Sequence, residues 1–328
     1  MSAPPVNAAL IAQAVAVLKR GGIVAVPTET VYGLAADAEN DAAVHAVFAA
    51  KGRPPDHPVI VHVADAAALA HWARAVPPGA HALANAYWPG PLTLVLKRSA
   101  RASDLVTGGQ DTVGLRCPAH PWARALLQAY GGALAAPSAN SFGRISPTTA
   151  DHVRADLGEK PTGRVDLILD GGACPVGIES TIIDLSGNAP SILRPGAITR
   201  AMLEQTLGTS VPVADASAPR APGRLDKHYA PRTPLEVIDA RELVRRVGHD
   251  AADEYAVLAP AEVLESLQRA PRLAIEAAGD ATVYARNLYA HLHRLDEAGA
   301  RRILVCAPPR DSAWLAVADR LKRAQGGP

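Results

Sequence analysis

The chain alternates between two spacings of apolar residues, one typical of helices and one typical of buried strands. Apolar side chains recur at helical spacing over 8–20 and again over 41–50. Asn7 is placed to cap the first helix, and Gly21-Gly22 can supply the left-handed turn that ends it. Strand-like apolar runs occupy 23–26, 59–63, 92–97, 112–118, 133–137, 167–172 and 180–185, and helical patterns such as 121–130 and 148–157 separate several of them. This alternation predicts one α/β domain.

The pattern changes near residue 208, where a proline-rich stretch with little apolar periodicity begins. Five prolines fall between 208 and 234, and this composition predicts a semi-rigid, extended linker. Four more strand patterns (LEVIDA, EYAVLAP, RLAIEA and RILVCAPP) then alternate with helical stretches and end in a helix over 313–324. The sequence therefore predicts an α/β domain over 1–207, a linker over 208–233 and a small Rossmann-like parallel α/β domain over 234–328.

Composition places the chain among globular proteins. Of its 328 residues, 48% are hydrophobic and 20% are charged, and the length suits two domains better than one core. The net charge of +1 gives no global field for nucleic acid or membranes, although a local basic patch stays open. Three scattered cysteines without a CxxC pair favour a reducing cytosol. The start lacks a basic region and no uncharged apolar run reaches about 18 residues, so neither a signal peptide nor a membrane span is expected.

Four common signatures are absent: GxxxxGK[ST], GxGxxG, GxSxG and HExxH. Their absence argues against a P-loop, a dinucleotide fingerprint, a hydrolase elbow and a zincin site. What remains is a set of polar loops, each beside a predicted strand. Open α/β sheets bind ligands at strand ends, so these loops are the candidates for function.

The loop at 50–58, AKGRPPDHP, holds two cations on a stiff turn. Lys51 and Arg53 lie between a glycine and two prolines, and this arrangement suits a polyphosphate, with Arg53 able to bind two oxygens at once. His62, in the strand that follows, is either a satisfied core histidine or a ligand.

Two other loops offer polar side chains near strands. PTETVYGLA, at 27–35, contains Glu29, Thr30 and Tyr32 and is either a solvated turn or part of a site. Arg116 lies near the end of an apolar strand and needs an anionic partner, which is either a structural Asp or Glu or a substrate carboxylate.

The stretch 137–149, PSANSFGRISPTT, follows an apolar strand and is crowded with hydrogen-bonding groups. Those groups are Ser138, Asn140, Ser141, Ser146, Thr148 and Thr149. Ser138 has no GxSxG elbow and no evident base, which favours ligand binding over nucleophilic catalysis. The two threonines can instead cap the next helix.

The order and wording of these pieces resemble the YrdC-like domain of the threonylcarbamoyl-AMP synthase family over about residues 8–205. The resemblance rests on PTETVYGL, KGRP, IVHV, YWPGPLTLVL, VGLRCPAHP, PSAN, SPTTA, GIESTIID and RPGAIT, in that order. HYAPRTPL, ARNLY (285–289), LD (295–296) and DRLKRA (319–324) resemble the longer, two-domain form.

The resemblance implies a YrdC-like twisted α/β fold and a cytoplasmic enzyme. It implies condensation of L-threonine, bicarbonate or CO2, and ATP, with magnesium, into threonylcarbamoyl-AMP and pyrophosphate. A downstream transferase complex would then modify the adenosine beside the anticodon of tRNAs that read codons beginning with A. It leaves room for weak tRNA contact.

The resemblance also implies roles for residues. It places the family's KxR and SxN elements on Lys51, Arg53, Ser138 and Asn140, with Lys51 and Arg53 catalytic. It places the threonine pocket on Thr30, Tyr32, His62, Arg116 and Ser180, with Thr181 close by. It places nucleotide contacts on Arg53, His57, Thr112, Ser138, Asn140, Arg144, Ser146, Arg194 and Tyr229. Two positions depart from the family pattern: His57 is often Asn in relatives, and Phe142 stands where SGxxSPT is usual.

Some alternatives stay open. The segment around Tyr229 is either a lid over the nucleotide or a passive tether. The first domain is an RNA-binding module if tRNA binds without ATP turnover. A carbamoyltransferase accessory domain, as in hydrogenase maturation proteins, would bring cysteine pairs that this chain lacks. A main active site in the C-terminal domain would need a dense polar constellation, which that part of the sequence lacks.

Overall fold

The computed structural model describes residues 3–215, 218–223, 228–249 and 251–325. The chain divides into two compact units. The first comprises 1–142 and 147–224, and the second comprises 143–146 and 225–328. Among the described residues, no helix is long and apolar enough to cross a bilayer.

A mixed nine-stranded sheet forms the centre of the first unit. Its strands are β1 Val24–Val26, β2 Gly33–Asp37, β3 Ile60–His62, β4 Leu92–Lys97, β5 Thr112–Arg116, β6 Leu134–Ala135, β7 Leu167–Ile168, β8 Thr181–Asp184 and β9 Ser191–Arg194. Their order is β7-β1-β2-β6-β3-β5-β4-β8-β9. The pairs β1–β7, β3–β5 and β4–β8 are parallel, and the other neighbouring pairs are antiparallel. The seven predicted strands are confirmed, while β2 and β9 were not predicted as strands.

Among the described residues of this unit there are eight helices. They are α1 Ala8–Lys19, α2 Asp41–Lys51, α3 Leu69–Trp72, α4 Pro78–Tyr87, α5 Asp104–Thr107, α6 Pro121–Tyr130, α7 Ala150–Asp156 and α8 Arg200–Leu207, with a 3-10 turn at Ala66–Ala68. Asn7 caps α1 by accepting from the amides of Ala9 and Leu10, as predicted. The side chain that caps α7 is Thr149, which accepts from the amide of His152.

The two faces of strand β4 are covered by different parts of the chain. Leu92, Leu94 and Leu96 pack into the largest hydrophobic cluster, together with side chains of α2, α3 and α4. Val95, on the other face, joins a small cluster that the partly buried Ala214, Ala218 and Ala221 cover. Successive side chains of a strand point to opposite faces, so β4 supports the helical core on one side. A chain segment without regular secondary structure covers the other side.

The second unit contains a four-stranded sheet in which every pairing is parallel. Its strands are β10 Leu235–Ile238, β11 Tyr255–Ala259, β12 Leu273–Glu276 and β13 Arg302–Cys306, in the order β10-β13-β11-β12. Its helices are α9 Ala240–His249, α10 Ala261–Glu265, α11 Ala281–Glu297 and α12 Leu315–Ala324, with 3-10 turns at Ala252–Glu254 and Ser312–Trp314. The four predicted strands, their parallel arrangement and the terminal helix are confirmed.

Candidate active site

A small cavity lies over the side of the sheet that helices leave uncovered. Strands β3, β4, β5 and β8 contribute to its floor, and residues 220–222 contribute to its wall. Gly114 lies in this floor, where a Cβ atom would lie 3.5–3.9 Å from Thr93, Ile60 and Val95. The glycine therefore leaves open the space that a side chain would fill.

Four residues predicted for the substrates line this cavity or bond to its wall. Thr112 lines it directly. The hydroxyls of Ser180 and Thr93 lie 2.8 Å apart, and Arg194 donates to the carbonyls of Ser180 and Pro222. Arg53 donates to the carbonyl of Pro58 at 2.8 Å.

Lys51 joins the KxR and SxN elements directly. It is the last residue of α2, it is 3% exposed, and its Nζ donates to the carbonyls of Ser138 and Asn140 at 2.5 Å each. Burial and the neighbouring Arg53 lower the pKa of Lys51 well below its ordinary value. The Lys51 amino group therefore fixes the 138–140 loop against the basic turn, which joins the two elements that the resemblance placed in one site.

A second layer of polar groups holds the same loop from behind. The amide and hydroxyl of Ser141 donate to the carboxylate of Asp156 at 2.7 and 2.6 Å. Arg164 donates to the hydroxyl of Ser141 and to the carbonyl of Ala50, one residue before Lys51. Sequence reasoning missed Asp156 and Arg164, because neither lies in one of the polar loops beside a strand.

Arg53 and His57 both contact Phe142. The Arg53 guanidinium carbon lies 5.6 Å from the centre of the Phe142 ring and 6.0 Å from that of Phe48. The rings of His57 and Phe142 lie 5.4 Å apart. Burial and Arg53 lower the pKa of His57, so the neutral imidazole is favoured here.

Arg116 has a structural carboxylate partner, which is Glu29. Its Nη2 donates to Glu29 Oε1 at 2.5 Å, its Nη1 to the hydroxyl of Thr30 at 2.9 Å and its Nε to the carbonyl of Gly90. Glu29 also accepts from the amide of Ala119. Burial opposes ionisation of Glu29, but the charge and hydrogen bond of Arg116 outweigh it, so the pKa of Glu29 lies below its usual value.

His62 lies directly beside Arg116, since the two residues pair in register between β3 and β5. It is 7% exposed, and burial, with a contribution from Arg116, lowers its pKa to about 3. A second small cavity adjoins it, lined also by Thr28, Gly33 and Ala136. The imidazole is therefore neutral at ordinary pH and lies next to a guanidinium and a small void.

Two residues expected in or near the threonine pocket, Tyr32 and Thr181, have hydroxyls that bond to the backbone. The Tyr32 hydroxyl donates to the carbonyl of Gly172 and accepts from the amide of Gly171. The Thr181 hydroxyl bonds both the carbonyl and the amide of Ile198. Both hydroxyls are thus bonded to the backbone of the first unit.

Three residues predicted for the nucleotide belong to the second unit: Arg144, Ser146 and Tyr229. Arg144 is exposed and donates to the carbonyl of Pro231 at 3.3 Å, whereas Ser146 is fully buried. Tyr229 is 1% exposed and has a positive φ of 64°, and its ring lies beside those of His228 and Tyr289.

The ends of the second sheet are occupied by carboxylates. Asp239, Asp280 and Asp311 follow β10, β12 and β13, and each accepts hydrogen bonds from backbone amides at the start of the next helix or 3-10 turn. Those amides are the groups that would otherwise bind a phosphate. The arrangement argues against a nucleotide site at this edge.

A larger open groove in the first unit holds none of the predicted residues. It has a volume of about 630 Å³ and is lined by Arg20, Lys160 and Arg164, among others. Size alone does not identify a binding site, so the smaller cavity over the sheet remains the candidate site.

Comparisons with known proteins identify both parts of the chain. A family profile described as "Telomere recombination" matches residues 16–196, and one described as "Threonylcarbamoyl-AMP synthase, C-terminal domain" matches residues 198–326. The threonylcarbamoyl-AMP synthase of Bacillus subtilis is 39% identical, over 97% of this chain and 93% of its own length. That of Pyrococcus abyssi is 36% identical, over 94% and 92%.

A solved structure shows the same fold. The crystal structure of Pyrococcus abyssi Sua5 complexed with L-threonine is 34% identical and covers 98% of this chain and 96% of that one, with a TM-score of 0.88. The mixed sheet of the first unit and the parallel sheet of the second are therefore the two-domain fold expected from the resemblance.

Proposed function

The chain belongs to the threonylcarbamoyl-AMP synthase family, and we infer that it condenses L-threonine, bicarbonate or CO2, and ATP into threonylcarbamoyl-AMP and pyrophosphate. The observation that carries this assignment is the junction of the two motifs at Lys51, whose ammonium group bonds the carbonyls of Ser138 and Asn140. The cavity over the sheet is lined by Thr112, and Arg53 and Arg194 bond to the carbonyls of two other lining residues.

The reaction requires positioning and charge stabilisation more than covalent help. The amine of threonine captures CO2, the resulting N-carboxylate attacks the α-phosphorus of ATP, and the bond to pyrophosphate breaks. Such a transfer is accelerated mainly by holding the reactants in line and by cations near the developing charge. In this proposal Lys51 and Arg53 stabilise that charge.

The threonine carboxylate binds beside Arg116 in this proposal. Glu29 accepts from one hydrogen of Nη2 and Thr30 accepts from one hydrogen of Nη1. Each of these nitrogens carries a second hydrogen, which gives the guanidinium donors for a second carboxylate. Neutral His62 and the Ser180 hydroxyl then orient the substrate. Tyr32 supports the pocket through the backbone at 171–172 rather than touching threonine.

Magnesium enters with ATP as part of the substrate. Among the described residues, no group of three His, Cys, Asp or Glu side chains could hold a metal ion. Phosphate oxygens and water are the usual ligands of magnesium with a nucleotide, so the metal would neutralise the pyrophosphate as it leaves.

The product would serve a transferase complex that modifies tRNA in the cytoplasm. Its mixed anhydride hydrolyses readily, so a site that excludes water would protect it.

Cys117, Cys174 and Cys306 are free and buried thiols, which supports a reducing compartment.

Pyrophosphate release by the full chain tests the assignment. Release should require ATP, magnesium, threonine and bicarbonate together. It should be lost in Lys51→Met and kept in Lys160→Met, a matched change at an exposed lysine. Release without threonine and bicarbonate would instead identify an ATP hydrolase. Absence of release from the wild type, with tRNA bound in a salt-dependent way, would favour the RNA-binding alternative.

A methyl group at Gly114 tests whether the cavity holds the nucleotide. Gly114→Ala adds atoms at ordinary contact distances, so the fold should tolerate it. We expect the KM for ATP to rise about tenfold, which corresponds to roughly 1.4 kcal/mol, with little change in the KM for threonine. Gly187→Ala, where a Cβ meets nothing within 4 Å, is the control. Unchanged ATP kinetics in Gly114→Ala would place the nucleotide elsewhere.

A further inference from the structure

Three short motifs of the second unit converge on one segment, residues 228–233, which we name the strap. They are ARNLY and LD, both on α11, and DRLKRA, on α12. We propose that Asp296 and Arg320, from the last two of these motifs, are positioning residues that hold the strap and, through it, the loop 143–146. The proposal rests on the proposed function, because this loop carries two of the residues assigned to the nucleotide.

Asp296 holds the C-terminal end of the strap. Its two carboxylate oxygens accept from the amides of Arg232 at 3.0 Å and Thr233 at 2.7 Å. Hydrogen bonds to a charged acceptor are stronger than neutral ones, and two of them to consecutive amides fix the direction of the chain. The carboxylate is therefore committed to the strap backbone.

Arg320 and Tyr289 hold the middle of the strap. The guanidinium carbon of Arg320 lies 5.4 Å from the centre of the Tyr229 ring, and the Tyr289 ring lies 5.6 Å from it. Arg320 is fully buried and pairs with Asp319 at 2.7 Å. Tyr229 is the one non-glycine residue with positive φ among the described residues, and such a backbone persists only where its surroundings impose it.

The strap in turn holds the loop 143–146. The amide of Ala230 donates to the carbonyl of Gly143 at 2.9 Å, and Arg144 donates to the carbonyl of Pro231. His293, on the same helix as Asp296, lies with its Nε2 3.2 Å from the carbonyl of Ser146. Loosening the strap would therefore loosen the loop at Gly143 and Arg144.

The consequence for the enzyme is specific to the nucleotide. A variant with a loose strap should bind ATP less well and lose more adenylate to hydrolysis, while threonine binding stays near the wild-type value. A general loss of stability would reduce all activities together. A rise in the KM for ATP without a rise in the KM for threonine therefore indicates a loose strap, whereas a loss of stability would affect both substrates.

The helix α11 offers a matched pair of variants. Asp296 and Asp280 lie on the same helix or at its start, and each accepts from two backbone amides. Removing either carboxylate should cost similar stability, but only Asp296 touches the strap. We expect Asp296→Ala to raise the KM for ATP about tenfold and Asp280→Ala to leave it within about twofold.

The experiment measures threonine-dependent pyrophosphate release, intact threonylcarbamoyl-AMP and the rate of tryptic cleavage after Arg232. Wild-type activity is measured first, since its absence would defeat the proposed function rather than this inference. With an active wild type, a higher KM for ATP and faster cleavage in Asp296→Ala alone support the proposal. Equal effects of Asp296→Ala and Asp280→Ala on both readouts overturn it.

Arg320→Lys provides a second test that keeps the charge. Lysine lacks the planar guanidinium that stacks on an aromatic ring, so the contact with Tyr229 is weakened while the pair with Asp319 is preserved. We expect a threefold to tenfold rise in the KM for ATP and more hydrolysed intermediate, with the KM for threonine unchanged. A variant with the wild-type KM for ATP, KM for threonine and amount of hydrolysed intermediate would show that Arg320 does not position the strap.

Discussion

Replacing Glu29 with glutamine tests how Arg116 is held in the site. The two side chains are 6% and 5% exposed and lie 2.5 Å apart. Glutamine keeps the shape but removes the charge, so Arg116 would remain buried without an anion. Breaking a buried ion pair in this way costs about 3–5 kcal/mol. For a unit of roughly two hundred residues, this corresponds to a fall in Tm of about 6–20 °C.

The exposed pair of Arg101 and Glu39 is a close control. It has the same N–O distance of 2.5 Å, but its side chains are 55% and 47% exposed. Glu39→Gln should therefore change Tm by no more than about 3 °C. Thermal unfolding of the two variants and the wild type, each with and without L-threonine, is the assay.

Threonine should raise the Tm of Glu29→Gln more than that of the wild type. Its carboxylate would supply the anion that Arg116 has lost, so binding would relieve part of the cost of the mutation. Equal melting temperatures of Glu29→Gln and Glu39→Gln would refute the reasoning from burial. A threonine effect no larger in Glu29→Gln than in the wild type would count against Arg116 as the carboxylate site.

Three further predictions concern single side chains. The pKa of His62 is about 3 in the folded chain and 6.5 as its ordinary value, so the unfolded chain binds the extra proton between them. The free energy of unfolding should then fall by about 1.4 kcal/mol for each pH unit below 6.5. A urea midpoint that changes less with pH in His62→Gln than in the wild type would confirm this. Tyr32→Phe should lower the free energy of unfolding by about 1–2 kcal/mol and leave the KM for threonine unchanged. A tenfold rise in that KM would show instead that the Tyr32 hydroxyl contacts threonine. Asp156→Asn should raise the KM for ATP about tenfold by weakening its bonds to Ser141, whereas Asp151→Asn, on the exposed side of the same helix, should not; equal KM values would refute this role.

The regular elements were predictable where local signals agree with tertiary structure. Helix α1 shows helical spacing, an Asn cap and a glycine with φ of 81° after its end, and each of these is readable from residues in one short window. Strand β2, Gly33–Asp37, has no such signal. Its small residues have low strand propensity, and it forms because it pairs with β1 and β6 on its two sides.

The candidate site was predictable as a set of loops but not as a set of bonds. The resemblance implied that Lys51 and Ser138 belong to one site, and in the structure the Lys51 amino group donates to the Ser138 carbonyl. The partner of Arg116 stayed open, because a structural carboxylate and a substrate carboxylate satisfy a buried guanidinium equally well. Asp156 could not be recognised, since an aspartate near the end of a helix is normally a solvated residue.

The two positions that depart from the family pattern, His57 and Phe142, lie next to each other in the structure. His57 and Phe142 are distant in the chain, yet their rings lie 5.4 Å apart, and Arg53 lies 5.6 Å from the same Phe142 ring. A guanidinium near an aromatic face is attracted to it, so the Phe142 ring helps to hold Arg53. The departures are therefore compatible with the role assigned to Arg53.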